Sequence, residues 1–171
     1  VSCFDEYWKA YAHPDRYDSA DVIFAKRLLQ HALPAAVRTE LADALFSRFV
    51  TKDYRAFAAE LYMSPDQLRT MIGMGQYVGS HGARHDWLDK LSPVQQAQDI
   101  DASLEFLRSL GAPADNWIMC YPYGAYNDTL LDVLQLRGCA CAITTKVAIA
   151  DFTVDKALEL PRMDTNDLPF C

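Results

Sequence analysis

The chain has 171 residues, 51% of them apolar or aromatic and 23% charged, which excludes a disordered polypeptide and leaves ample material for a core. Sixteen Lys and Arg face 23 Asp and Glu, for a formal charge of −7, and no basic cluster stands out, so nucleic acid is not an expected partner. No run of 18 apolar residues exists, so no membrane span is expected.

The first 75 residues read as helical. Ser19 can cap a helix whose apolar positions Val22, Ile23, Ala25, Leu28, Leu29 and Leu33 recur at three- and four-residue spacing, until Pro34 ends it. A second helix is predicted over 35–50, with Val37, Leu41, Leu45, Phe46 and Phe49 on one stripe. Residues 53–62 continue in that style. Ser64-Pro65-Asp66-Gln67 then forms a capping box ahead of Leu68, Met71 and Ile72.

The second half alternates. Residues 76–80 form a short β-prone run. Ser92-Pro93-Val94-Gln95 repeats the helix-start signal, and the helix carries Ile100, Leu104, Leu107 and Leu110 to a stop at Gly111. Residues 117–121 read as a buried strand. Asn127 or Asp128 caps a helix through Leu130, Leu131, Val133, Leu134 and Leu136 that ends at Gly138, and 139–145 is another strand. Strand–helix alternation predicts an α/β fold with parallel strands and crossover helices. The expected division is a helical subdomain or insertion over 1–67 and an α/β part over 68–171.

Five cysteines, at 3, 120, 139, 141 and 171, are irregularly spaced and do not make a disulfide framework. On a strand Cys139 and Cys141 face the same side, as small buried apolar residues. Reduced thiols suit a cytoplasmic protein, and the first eleven residues, with Asp5, Glu6 and Lys9, lack the apolar core of a signal peptide.

Three constellations carry chemistry. His81-Gly82-Ala83-Arg84-His85 follows a strand directly, and two imidazoles four apart can meet one metal ion if the backbone between them makes a helical turn. A chance His pair is the plain alternative; the strand-end position favours the metal. Tyr121-Pro122-Tyr123-Gly124 is a rigid strand-end turn in which Pro122 restricts the backbone. It could aim the Tyr123 N–H at a substrate oxygen, or be an ordinary turn with packed aromatics. Arg162 and Asp164, two apart in Leu160-Pro161-Arg162-Met163-Asp164, point the same way on a strand and can pair, or form a minor surface ion pair.

In this order the pieces resemble the polysaccharide deacetylase family, the NodB-homology domain, over about 68–168; Val78-Gly79-Ser80-His81 matches the family's strand into its first metal histidine. The resemblance implies a deformed (β/α) barrel, here incomplete, and a metal-dependent hydrolase that removes N-acetyl groups from amino sugars of a polysaccharide or oligosaccharide. His81 and His85 would be metal ligands, with zinc the expected divalent ion, although cobalt, nickel or manganese suits the same donors. The Tyr123 N–H would help bind the tetrahedral oxyanion, while Pro122, Arg162 and Asp164 line or support the site.

The sequence departs from the family pattern in three places. It has no Asp-Asp motif, and Phe4-Asp5 is the only echo, so the chain is expected to be a C-terminal portion that needs an N-terminal segment of the same protein for activity. Cys120 stands where the family commonly has Arg. No Leu-x-His motif follows Asp164; Leu29-Gln30-His31 has that form but lies on a predicted helix, and His31 and His13 read as ordinary residues. The alternative function is a catalytically inactive carbohydrate-binding or structural module of the same fold.

Overall fold

A computed structural model describes residues 3–15 and 17–168. Val1, Ser2, Arg16 and residues 169–171 lie outside them, the last cysteine, Cys171, included. The chain divides into two compact units, Val1–Tyr62 and Met63–Cys171.

The first unit holds α1 (Cys3–Tyr11), α2 (Ala20–Arg27), α3 (Ala35–Phe49) and α4 (Tyr54–Leu61). Its described residues contain no strand, as the period-3.6 pattern requires. Ser19 sits at the start of α2, yet its side chain makes no capping bond. After Arg27 the helix widens into a π-helical turn, Leu28–Ala32, closed by the Leu33 N–H on the Leu28 carbonyl. Pro34 ends the turn, because it pushes Leu33 into extended geometry. The Gln30 carbonyl accepts from the Arg38 guanidinium instead. Aromatic packing holds the unit: Trp8 and Phe24 lie 4.8 Å apart, and Phe46 meets both Tyr54 and Phe57 at 5.0 Å.

The second unit begins with α5 (Pro65–Gly73). Both capping boxes form: Gln67 N–H donates to Ser64 Oγ at 3.2 Å, and Gln95 N–H to Ser92 Oγ at 3.4 Å at the start of α6 (Pro93–Leu110). Strands β1 (Trp117–Cys120), β2 (Cys139–Val147) and β3 (Leu160–Arg162) form a parallel sheet in that order. Helix α7 (Asp128–Leu136) is the crossover from β1 to β2. The core lies where α6 and α7 cover the sheet, around Trp117, Met119, Ile100, Leu104, Leu130 and Leu134. Trp117 buries its ring and donates Nε1–H to the Arg137 carbonyl at 2.8 Å. No helix among the described residues is long and apolar enough to cross a membrane.

Two local expectations change. Residues 76–80 run beside β1 but share a single parallel bridge with it, Ser80 to Met119. In a continued parallel ladder the Ile118 N–H would serve the Val78 carbonyl; the Tyr77 hydroxyl takes it at 2.8 Å. The two β2 cysteines do not share a face either. A bulge sets Cys139 opposite Trp117 and Cys141 opposite Ile118, which are successive residues of β1. Cys139 therefore packs on the core, and Cys141 stands on the other side of the sheet.

Candidate functional site

His81 follows directly on the Ser80 bridge, at the end of the sheet where the parallel strands finish. Its Nδ1 lies 2.7 Å from the Cys120 carbonyl at the tip of β1. A carbonyl can only accept, so Nδ1 carries the hydrogen and Nε2 is the nitrogen left for a ligand. The His85 ring lies 4.8 Å from the His81 ring, centre to centre, at an interplanar angle of 65°. Partial burial, and secondly the neighbouring His81, hold His85 below the ordinary imidazole pKa, which favours the neutral form that binds metals.

The expected helical turn between the histidines is absent. Residues 81–87 form a loop, with Gly82 at φ +74° and His85 at φ +56°. The loop is shaped from outside by α6, whose Asp99 carboxylate accepts the N–H groups of Ala83 and Arg84 at 2.8 and 3.2 Å.

Tyr123 sits between Pro122 and Gly124 with φ +57°, a left-handed conformation that a bulky residue adopts at a cost of about 1 kcal/mol or more. Its ring lies edge-on to His85 at 4.8 Å and stacks on Trp87 at 4.8 Å and 15°. Trp87, Tyr123, His85 and His81 thus form one continuous row of rings. Among the described residues, two of the three non-glycine residues with positive φ, His85 and Tyr123, touch each other here. The turn is pinned by Gly124 N–H on the Tyr121 carbonyl and Ala125 N–H on the Pro122 carbonyl, both at 3.0 Å. Pro122 is buried, close to Gly82. Tyr121 points away into the core: it donates to the Leu158 carbonyl at 2.8 Å, and burial raises its phenol pKa.

Arg162, at the end of β3, lines a cleft of about 530 Å³ together with His81, Tyr77, Ile118 and Cys120. Asp164 lies beyond the strand, capping the short turn Thr165–Asp167 and accepting from the Asn166 N–H at 2.9 Å. The strand spacing invoked for Arg162 and Asp164 therefore does not apply, because β3 ends at Arg162. Phe4 and Asp5 fall in the first turn of helix α1. His31 lies in the π-helical turn, edge-on to Tyr11.

Three contributors escaped the sequence reading. Asp99, Gln96 and Ser103 are fully or nearly buried on α6. Ser103 Oγ holds Ser80 Oγ at 2.8 Å; Gln96 donates to the Leu88 carbonyl at 2.8 Å and to Asn127 Oδ1 at 3.0 Å. The signal was present: positions 96, 99 and 103 fall on the helix face of Ile100, Leu104 and Leu107, and polar residues on an apolar face need buried partners.

Two imidazole nitrogens, one fixed in tautomer by a carbonyl, fit a borderline divalent cation such as zinc. Two donors alone would leave a ligand set incomplete, and among the described residues no group of three or more His, Cys, Asp or Glu is placed to hold a metal.

No curated protein sequence matches the chain. Among solved structures it is similar to the Streptococcus pyogenes deacetylase PplD in complex with acetate, at 22% identity and a TM-score of 0.57, covering 72% of this chain and 57% of that one. It is also similar to the BpsB deacetylase domain from Bordetella bronchiseptica, at 17% identity and a TM-score of 0.51, covering 60% of this chain and 48% of that one. The chain thus spans about half the length of these neighbours, and the likeness establishes a shared α/β fold. The family model for polysaccharide deacetylase matches residues 39–142, from within α3 to within β2, a span that holds His81, His85 and the Tyr121–Gly124 turn but not Arg162. With the histidine loop and the proline-braced turn meeting inside that span, the chain belongs to the polysaccharide deacetylase family.

Proposed function

We propose that this chain is the C-terminal portion of a metal-dependent carbohydrate N-deacetylase that hydrolyses N-acetyl groups of amino sugars in a polysaccharide or oligosaccharide. The observation that carries the reading is the meeting of three groups: the ring of His85 touches those of His81 and Tyr123 at one end of a parallel sheet. On this reading the three strands and the Ser80 edge are an arc of a deformed (β/α) barrel, completed by an N-terminal segment of the same protein. That segment supplies the remaining metal ligand and the base.

His81 and His85 would hold the cation. A bound divalent ion such as zinc supplies Lewis acidity toward the amide carbonyl and acidifies water. The rest falls to the chain. His81 would have Nε2 free to hold the ion because the Cys120 carbonyl holds its other nitrogen. Tyr123, held left-handed between Pro122 and Gly124, presents its N–H to the oxygen that gains charge when the amide carbon becomes tetrahedral. Arg162 lines the cleft beside His81 and orients sugar hydroxyls or the departing amine. Trp87 and Tyr123 wall the site with aromatic surface.

The test is acetate release from a chitin oligosaccharide by the full-length natural protein, together with its metal content. His81→Ala and His85→Ala are expected to lose metal and turnover together. Turnover unaffected by either substitution would sink the reading. Metal bound without turnover would point to an inactive carbohydrate-binding or structural module of the same fold.

A further inference from the structure

Ala83 and Arg84 lie between the two histidines, and their N–H groups converge on one carboxylate. Asp99 of α6 accepts from Ala83 at 2.8 Å through Oδ1 and from Arg84 at 3.2 Å through Oδ2. Its side chain is 0% exposed, and Arg84 Nε approaches the same Oδ2 at 3.4 Å. Next along the loop, Gly82 N–H donates to Ser80 Oγ at 3.2 Å, and Ser80 is itself held by Ser103 of α6. Three successive backbone N–H groups are gathered on acceptors that α6 carries or fixes. With Gly82 left-handed, the loop forms the backbone concavity that elsewhere binds anions; here the protein's own carboxylate fills it. The fit is close, since a Cβ on Gly82 would lie 2.8 Å from Asp99 Oδ1.

We propose that Asp99 is the positioning residue of the histidine pair: it folds the 81–85 loop so that both imidazoles face one cation. The inference rests on the metal-site reading of His81 and His85. The loop cannot hold this shape by itself, because Ala83 and Arg84 are exposed and no helical turn or strand ladder spans residues 81–87. Asp99 stands on the opposite footing. Its helix is fastened in the core by Ile100, Leu104 and Leu107, so the carboxylate transmits a fixed position to otherwise free backbone. Cation affinity then depends on a side chain that never touches the cation.

Asp99→Asn preserves shape but turns one accepting oxygen into an NH2 group facing an N–H donor. Three measurements on the full-length natural protein separate positioning from simple structural support. Co2+ titration by visible absorption reads affinity at the histidines. Amide exchange at Ala83 and Arg84, and the ring-to-ring NOE between His81 and His85, read the loop without metal. Expected for Asp99→Asn are a loss of Co2+ affinity of about tenfold to a hundredfold, faster exchange at both amides and loss of the NOE, while Trp117 keeps its native resonances. Wild-type values for affinity, exchange and NOE would overturn the proposal. Should Asp99→Asn fail to fold, Asp99→Ser decides, because it takes the carboxylate away from both N–H groups without adding an opposed NH2 group. The same loss of Co2+ affinity supports the proposal, and wild-type affinity overturns it. Full-length wild-type protein that binds no Co2+ would overturn the metal-site reading, whereas the metal-free loop measurements would still decide whether Asp99 sets the loop.

Discussion

Gly124 shows how narrowly the tyrosine turn is made. It holds φ +69°, and a Cβ there would run into the Thr145 side chain of β2, with Cγ2 at 2.9 Å and Oγ1 nearer still. Gly124→Ala is therefore expected to cost about 2 kcal/mol or more, from left-handed strain plus overpacking. Urea denaturation measures it, and a cost under about 0.5 kcal/mol would show that the turn relaxes freely. Cys139 makes a different point. Burial first, and Cys141 second, push its thiol up to about 12, so little thiolate exists at neutral pH. Alkylation followed by mass spectrometry should label the exposed Cys3 well before Cys139; equal rates would contradict the burial.

At the scale of elements, α6 is the organiser. Its apolar face enters the core, and within that same face Asp99 reaches the loop that carries the histidines, while Ser103 and Gln96 hold Ser80 and Leu88 on either side of it. Gln96 also ties α6 to Asn127, which caps α7 by accepting the Leu130 N–H at 3.0 Å and donates to the Asp89 carbonyl at 3.3 Å. One asparagine thus serves a helix start, a neighbouring helix and the loop after the site. Asn127→Ala is expected to destabilise the protein by about 1–2 kcal/mol, the upper range for a lost cap, because the Gln96 amide loses a partner as well. Chemical denaturation gives the value. A neutral result would mean that water replaces the side chain without loss.

For the whole molecule, acid and metal act in opposite directions. Hydrogen bonding to Arg137, at 2.5 and 2.9 Å, holds the Asp101 carboxyl below its usual value, and Lys156 does the same for Glu159. Both groups bind protons more readily unfolded than folded. Their contribution is therefore full above the ordinary carboxylate range and is lost as pH falls below about 4. Denaturation midpoints should drop over that range, with a smaller drop for Asp101→Asn; an unchanged drop would remove Asp101 from the account. Zinc at about a hundred times its dissociation constant should raise the unfolding free energy by about 2.7 kcal/mol. His81→Ala should abolish the rise in melting temperature, and a rise that survives places the ion elsewhere. The helix starts at Ser64 and Ser92, the parallel α/β order and the histidine and tyrosine motifs were legible in the amino-acid order, because caps and amphipathic periods are made by residues three or four apart. Where contacts join distant segments, the chain order was silent. The single bridge at Ser80, the bulge that parts Cys139 from Cys141, and the Asp99 carboxylate under the histidine loop all depend on which backbone groups packing leaves facing one another, and that is settled only when the helix and the sheet come together.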